Sequence, residues 1–244
     1  MAITDPGSIL VTGPLPEPAL EVADQRARDL GIQHRRFGID YSLGEVRRGV
    51  GGWMATVHGA EADYEDVFLP IHGRYQLVNL AIALAASEAL VGRALDPEAV
   101  RVAAAAATMP GRMEPLPGSP FIMVDGAHNP DGVATLVESL YEEYANRRWH
   151  LLFGVMGDKD VELMLQRLAP MIDGVVTTAV ESKRAVPAAE LAERALSVVE
   201  VPVVASESVE QGLDMVRAEA GPEGSVLVTG SLYLVGDVRS LLMG

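Results

Sequence analysis

Apolar and polar residues alternate in blocks along the second half of this chain. Short, nearly continuous apolar runs at Phe121–Val124, His150–Phe153, Gly174–Thr178, Val201–Ala205 and Ser225–Thr229 read as strands. Segments with helical spacing separate them: Asp131–Ala145, Asp160–Met171, Pro187–Val198 and Val209–Ala220, with a last helix from about Ser231 to Leu242. Strands buried on both faces have no polar side to show, so they are written as runs rather than as alternation. Strand and helix in turn imply right-handed βαβ units and a mostly parallel, Rossmann-like α/β sheet.

The first half is less regular. Ser8–Thr12 and Ile32–Gly38 read as strands flanking a helix at Pro18–Leu30. Trp53–His58 and Asp66–Pro70 read as a β-pair, followed by Ala-rich helices at Tyr75–Val91 and Pro97–Ala107. Thr108–Gly118 holds three prolines and two glycines and reads as a linker or hinge. The boundary is placed near residue 109, giving domains 1–108 and 109–244. The first domain is thin for an independent α/β fold. It is expected to be the end of a larger domain that begins upstream, the alternative being a small, complete α+β domain.

Composition narrows the function. Of 244 residues, 49% are hydrophobic, enough for a sizeable core. The formal net charge of −15, with no basic cluster, argues against a nucleic-acid partner. Without Cys there are no disulfides and no Cys-ligated zinc. The amino-terminal residues lack the charged and apolar regions of a signal peptide, and Glu88, Arg93 and Arg101 interrupt the Ala-rich segments. A soluble, cytoplasmic protein without a membrane partner is therefore expected. The only lysines are Lys159 and Lys183, and neither lies in Gly-x-x-x-x-Gly-Lys-Ser/Thr, so there is no P-loop in this sequence. The five histidines show no ligand spacing, and no self-contained metal site is expected.

Chemistry concentrates where strands give way to helices. In Phe121-Ile-Met-Val-Asp-Gly-Ala-His-Asn-Pro130 an apolar run stops on Asp125 and Gly126, and a helix start follows with Asn129 as N-cap and Pro130 at its first position. That geometry is expected to place Asp125, His128 and free backbone N–H groups on one rim, suited to an anion or nucleotide. Gly154–Asp160, Glu181–Arg184 and Gly230–Tyr233 fall at the same carboxyl edge of the sheet. Lys159, between Asp158 and Asp160, reads as a charged first helical turn, and Met54, Met156, Met164 and Met215 read as core.

Taken in order, these segments resemble the folylpolyglutamate synthase / dihydrofolate synthase family of the Mur ligase superfamily. His72-Gly-Arg-Tyr-Gln-Leu-Val-Asn79 resembles its Gly-x-x-Gln-x-x-Asn helix start, and Pro110-Gly-Arg112 with Glu114 its interdomain Gly-Arg motif. Asp125-Gly-Ala-His-Asn129 is the form typical of the folate branch, and Phe153–Asp160 and Thr229–Arg239 match in turn. The resemblance covers the end of a central ATPase domain and a whole Rossmann-like carboxyl-terminal domain. It implies an ATP-dependent ligase that activates a carboxylate as an acyl phosphate and joins it to L-glutamate, with folate or dihydropteroate as acceptor. It also implies Mg2+, with its ligands and the P-loop upstream of Met1, so that this chain alone is expected to be inactive.

Residue by residue, the family pattern assigns Asn79, Gln76 and Arg112 to ATP, an amide reading base or ribose and a guanidinium offering a planar fork to phosphate. Asp125 would meet nucleotide hydroxyl or amino hydrogens, since a carboxylate facing phosphates would repel them. His128, the catalytic candidate, would lie near the γ-phosphate or the incoming glutamate. Ser231, at a helix start, would hold the glutamate carboxylate, with Lys183 and Arg184 as further anion partners. Two other readings stand beside this one: another amide ligase of the superfamily, of the peptidoglycan-precursor or cyanophycin-synthetase type, and a stand-alone binding module without an ATPase core.

Overall fold

The computed structural model describes residues 5 to 244. The chain divides into two compact units, Met1–Thr108 and Met109–Gly244.

In the first unit, β1 (Ile9–Thr12) and β2 (Gln33–Arg36) pair in parallel across helix α1 (Glu17–Leu30). Pro18 opens α1, where its missing N–H costs nothing, and Gly31 closes it in the left-handed conformation. An antiparallel sheet follows in the order β3 (Ser42–Gly49), β4 (Gly52–His58), β5 (Asp63–Leu69). The β-pair expected from the sequence is β4 with β5, and β3 adds a third strand that was not expected. Strand β3 escapes notice because it lies at an edge and shows charged residues, such as Glu45, Arg47 and Arg48, instead of an apolar run. Helices α2 (Tyr75–Val91) and α3 (Pro97–Ala105) complete the unit. Leu77, Ala81, Leu84 and Ala85 of α2 pack with Ala55, Val57, Tyr64 and Val67 of the sheet and with Val100 and Ala104 of α3. Glu88 is fully buried but satisfied: it accepts from the Ala60 N–H (2.8 Å), the Glu61 N–H (3.3 Å) and the Tyr64 hydroxyl (2.7 Å).

The second unit is one six-stranded sheet in the order β10-β9-β8-β11-β7-β6. Strands β7 (Phe121–Val124), β8 (Trp149–Phe153), β9 (Ile172–Thr177), β10 (Val203–Ala205) and β11 (Ser225–Thr229) are parallel. The segment expected to be only a linker contributes β6 (Glu114–Leu116), antiparallel to β7. Pro115 fits there because an edge strand can leave one side without donors. Helices α4 (Pro130–Tyr144), α5 (Val161–Leu168) and α6 (Ala188–Leu196) adjoin one another on one face. Helices α7 (Val209–Ala220) and α8 (Leu232–Met243) share the other, where Leu213, Val216, Leu234, Val235 and Val238 pack on Ile122, Val124, Leu152, Val226 and Val228. With both faces covered, every residue of β11 is buried. Among the described residues, no helix is long and apolar enough to cross a membrane.

Candidate functional site

The strand order fixes where a site forms in the second unit. Strand β11 is inserted between β7 and β8, yet α8 leaves it for one face while α4 and α5 leave its neighbours for the other. Adjacent chains that part in opposite directions open a crevice at the carboxyl ends of the strands. A cleft of about 240 Å³ lies there. His128 reaches it from the loop after β7, Met156, Asp158 and Lys159 from the loop after β8, and Arg184 from the loop after β9. Gly230, Ser231, Leu232 and Tyr233 close it after β11.

Hydrogen bonds hold the loop after β7. Asp125 is 4% exposed. Its Oδ1 accepts from the Ala127 N–H at 2.7 Å and its Oδ2 from the Met113 N–H at 2.9 Å. The Asp125 N–H bonds Val228 O and the Gly126 N–H bonds Gly111 O. The expectation of a rim with Asp125 and free N–H groups is therefore corrected: the carboxylate points inward, and the turn consumes the N–H groups of residues 125 to 127. Burial pushes the Asp125 carboxyl above its ordinary value, opposed by the two N–H donors and by the charges of Arg112 and His128. Gly126 has no room for a side chain, because a Cβ there would strike Leu232 and the Arg112 guanidinium. Asn129 caps α4 through the Gly132 N–H at 2.7 Å, with Pro130 opening the helix.

His128 Nδ1 lies 2.9 Å from Gly126 O. A carbonyl only accepts, so Nδ1 carries the hydrogen and the neutral ring keeps its lone pair on Nε2. The loops after β8 and β9 are joined to each other: the Gly157 N–H donates to Arg184 O (2.8 Å) and the Val186 N–H to Val155 O (3.0 Å). That pairing brings Arg184 to the cleft. Its neighbour Lys183 is exposed and does not line the cleft. Lys159 Nζ sits 2.9 Å from Asp158 Oδ2 and holds that carboxyl below its usual range, with Arg184 nearby adding to the effect. Asp160 caps α5 through the Leu163 N–H.

After β11, Gly230 adopts φ +107°, and a Cβ there would meet Gly154 O at 2.6 Å and the Phe153 ring at 2.8 Å. Only glycine fits where β11 and β8 diverge. Ser231, 2% exposed, caps α8, its Oγ accepting the Tyr233 N–H at 3.1 Å. The cleft therefore gathers Arg184, His128, the Lys159–Asp158 ion pair and the positive end of α8, an arrangement that attracts a small anion. At about 240 Å³ it lies below the ~300–1,000 Å³ range of drug-sized ligand pockets.

Arg112 lies apart from that cleft, between two residues in the left-handed region, Gly111 (φ +71°) and Met113 (φ +42°). Among the described residues its guanidinium makes no hydrogen bond, although it is half-buried and close to Asp125. In the first unit, Gln76 and Asn79 share the first turns of α2, the Asn79 Nδ2 donating to Gln76 Oε1 at 2.8 Å, with Gln76 buried. Sequence reasoning missed Lys159, Tyr233 and Met156 as cleft residues. The rule that placed Gly154–Asp160 and Gly230–Tyr233 on the ligand edge was the signal that would have found them. Among the described residues, no group of three or more His, Asp or Glu side chains is placed to hold a metal ion.

Comparison with known proteins bears on this geometry. Residues 111–232 match the family described as "Mur ligase, glutamate ligase domain". The chain is 31% identical over 255 aligned positions to a dihydrofolate synthase/folylpolyglutamate synthase of Mycobacterium tuberculosis, covering 97% of this chain and 52% of the relative. It is 30% identical over 242 positions to a folylpolyglutamate synthase of Lacticaseibacillus casei, covering 98% and 55%. A solved structure of Mycobacterium tuberculosis folylpolyglutamate synthase complexed with ADP superposes with a TM-score of 0.91 at 30% identity, over 96% of this chain and 55% of that one. The chain spans about half the length of the curated relatives it matches.

Proposed function

The chain belongs to the Mur ligase family, and from that premise we propose that it supplies the amino-acid site, and part of the nucleotide site, of an ATP-dependent ligase that joins L-glutamate to folate or dihydropteroate. The observation that carries this reading is the cleft at the switch point of the sheet. It is small, anion-attracting and built around a histidine whose free nitrogen is fixed by hydrogen bonding. Two relatives that match nearly the whole chain are folate ligases, and one similar structure holds ADP.

In such a reaction the acceptor carboxylate takes the terminal phosphoryl group of ATP, giving an acyl phosphate and ADP. The amino group of glutamate then attacks the carbonyl carbon; a C–N bond forms, the C–O bond to phosphate breaks, and phosphate leaves. The nitrogen must shed a proton on the way. His128 Nε2 is the acceptor for that proton in the cleft, and Nδ1, tied to Gly126 O, keeps it available. A glutamate carboxylate is held by the Ser231-capped start of α8 and by Arg184, with Lys159 beside them. The chain of Tyr233 and Met156 gives the methylenes an apolar wall.

The half-buried, unbonded guanidinium of Arg112 is suited to an anionic nucleotide, so the residues present fit ATP there. The amides of Gln76 and Asn79, paired at the start of α2, are suited to a base or a ribose. Asp125 acts indirectly, since both of its oxygens already hold the turn. These residues supply no ligand set for Mg2+, and the sequence has no P-loop. The 244-residue chain by itself is therefore expected to release no phosphate from ATP, whatever folate and glutamate are added.

A titration of the isotope-labelled chain with L-glutamate, followed by amide resonances, tests the cleft. Shifts should cluster at Gly230–Tyr233 and at His128, with a dissociation constant on the order of millimolar. Arg184→Met should weaken binding several-fold. Equal shifts with L-alanine, or shifts remote from the cleft, would contradict the assignment.

A further inference from the structure

Among the described residues the Arg112 guanidinium makes no hydrogen bond; it meets the charge of Asp125, which itself holds the turn, so its aim depends on the backbone that carries it. The turn that carries it is held by carboxylates on both sides. On one side Asp125 Oδ2 accepts the Met113 N–H at 2.9 Å. On the other, Glu114 Oε2 accepts the Gly111 N–H at 2.7 Å. Glu114 is in turn paired with Arg239 of α8, whose Nε lies 2.8 Å from the same Oε2. That Nε is buried, and its N–H is not aimed to form a hydrogen bond, so the pair holds by charge. Helix α8 also packs directly under the turn: a Cβ on Gly111 would lie 2.9 Å from Val235 and within contact of Leu232.

We propose that Arg239, acting through Glu114 and the Gly111 N–H, is a positioning residue that sets the direction of Arg112 toward the nucleotide. The chain of contact is short: cation, carboxylate, backbone N–H, and then the arginine one residue on. The positive φ values at Gly111 and Met113 make the arrangement dependent on support. A non-glycine residue such as Met113 stays in the left-handed region only where its surroundings hold it. Removing the charge on Arg239 frees Glu114 to turn toward solvent and releases the Gly111 end of the turn. Arg112 then loses its fixed aim, although it touches neither residue. The nucleotide part of this inference rests on the function proposed above.

The test uses the 244-residue chain, with ADP as the probe and the Arg112 Nε–Hε resonance, identified by its loss in Arg112→Met, as the reporter. Arg239→Met should lower the heteronuclear NOE of that resonance to the level of a freely moving side chain and weaken ADP binding about fivefold. Glu114→Gln keeps an acceptor for the Gly111 N–H and so preserves the fold, but it removes the charge that Arg239 pairs with; it should give the same pattern. Arg239→Lys should restore most of the loss. In an Arg112→Met background, Arg239→Met should change ADP affinity no further, which distinguishes an effect through Arg112 from general loosening.

An unchanged Arg112 resonance in Arg239→Met, or additive losses in the double variant, would overturn the proposal. If Arg112→Met alone leaves ADP affinity unaltered, the nucleotide reading falls. The order of the Arg112 resonance then decides the positioning claim separately.

Discussion

Asp125 illustrates how one residue can stand at the centre of a site without facing it. Its two oxygens each take a backbone N–H, from Met113 and Ala127. Asp125→Asn would set an amide NH2 against one of those donors and leave a buried N–H without a partner, destabilising the fold by about 1–3 kcal/mol at neutral pH in a denaturant titration. Burial leads in shifting this carboxyl upward. With the folded value above the unfolded one, native protein binds the proton more readily. That contribution to stability is complete below the unfolded value of 3.8 and is lost as pH rises through the raised value. The Asn variant should lack this component of the pH dependence. The sequence named Asp125 and His128 readily, because a strand end followed by an N-cap and Pro has few other readings. It could not say that Asp125 points inward, since that depends on Met113, across the turn at the start of β6. Nor could it separate Arg184 from Lys183, neighbours in one exposed turn of which Arg184 lines the cleft.

At the scale of elements, α5 and α6 are joined by a two-pronged bond from Arg194 to Glu162, both contacts at 2.7 Å. Hydrogen bonds from Arg194 pull the Glu162 carboxyl from 4.5 down to about 2. A depressed folded value means that the pair's contribution is present above 4.5 and disappears as pH falls from there through about 2. The side chains are partly exposed, so solvent screening keeps that contribution small. Glu162→Gln should flatten the acid limb of the stability curve in this window relative to the parent chain; an unchanged limb would show that the pair contributes nothing. The elements themselves were legible where burial dictated the pattern. Strands β7 and β11 and helices α2 and α7 follow their apolar runs closely. The two strands that escaped, β3 and β6, are edge strands, one charged and one carrying Pro115. Edges are protected by the same residue types that mark loops.

For the whole molecule, the mostly parallel α/β architecture followed from alternation alone, and the cleft follows from the strand order, which no local pattern reveals. Only the insertion of β11 between β7 and β8 brings four separate loops to one crevice. Residues 109–244 have their own sheet, covered on both faces, and are expected to fold when expressed alone, melting in one cooperative transition. A broad, non-cooperative melt would contradict that. We propose that this chain carries the glutamate-joining site of a folate ligase. The most direct measurement places the preceding half of the Mycobacterium tuberculosis relative ahead of this chain, a graft that the TM-score of 0.91 makes reasonable. The hybrid is then given ATP, L-glutamate and either dihydropteroate or a folate, and the product is weighed by mass spectrometry. The account predicts an acceptor heavier by one glutamyl residue, formed together with ADP and phosphate and lost in His128→Ala. A folded hybrid that hydrolyses ATP yet never attaches glutamate to either acceptor would contradict it.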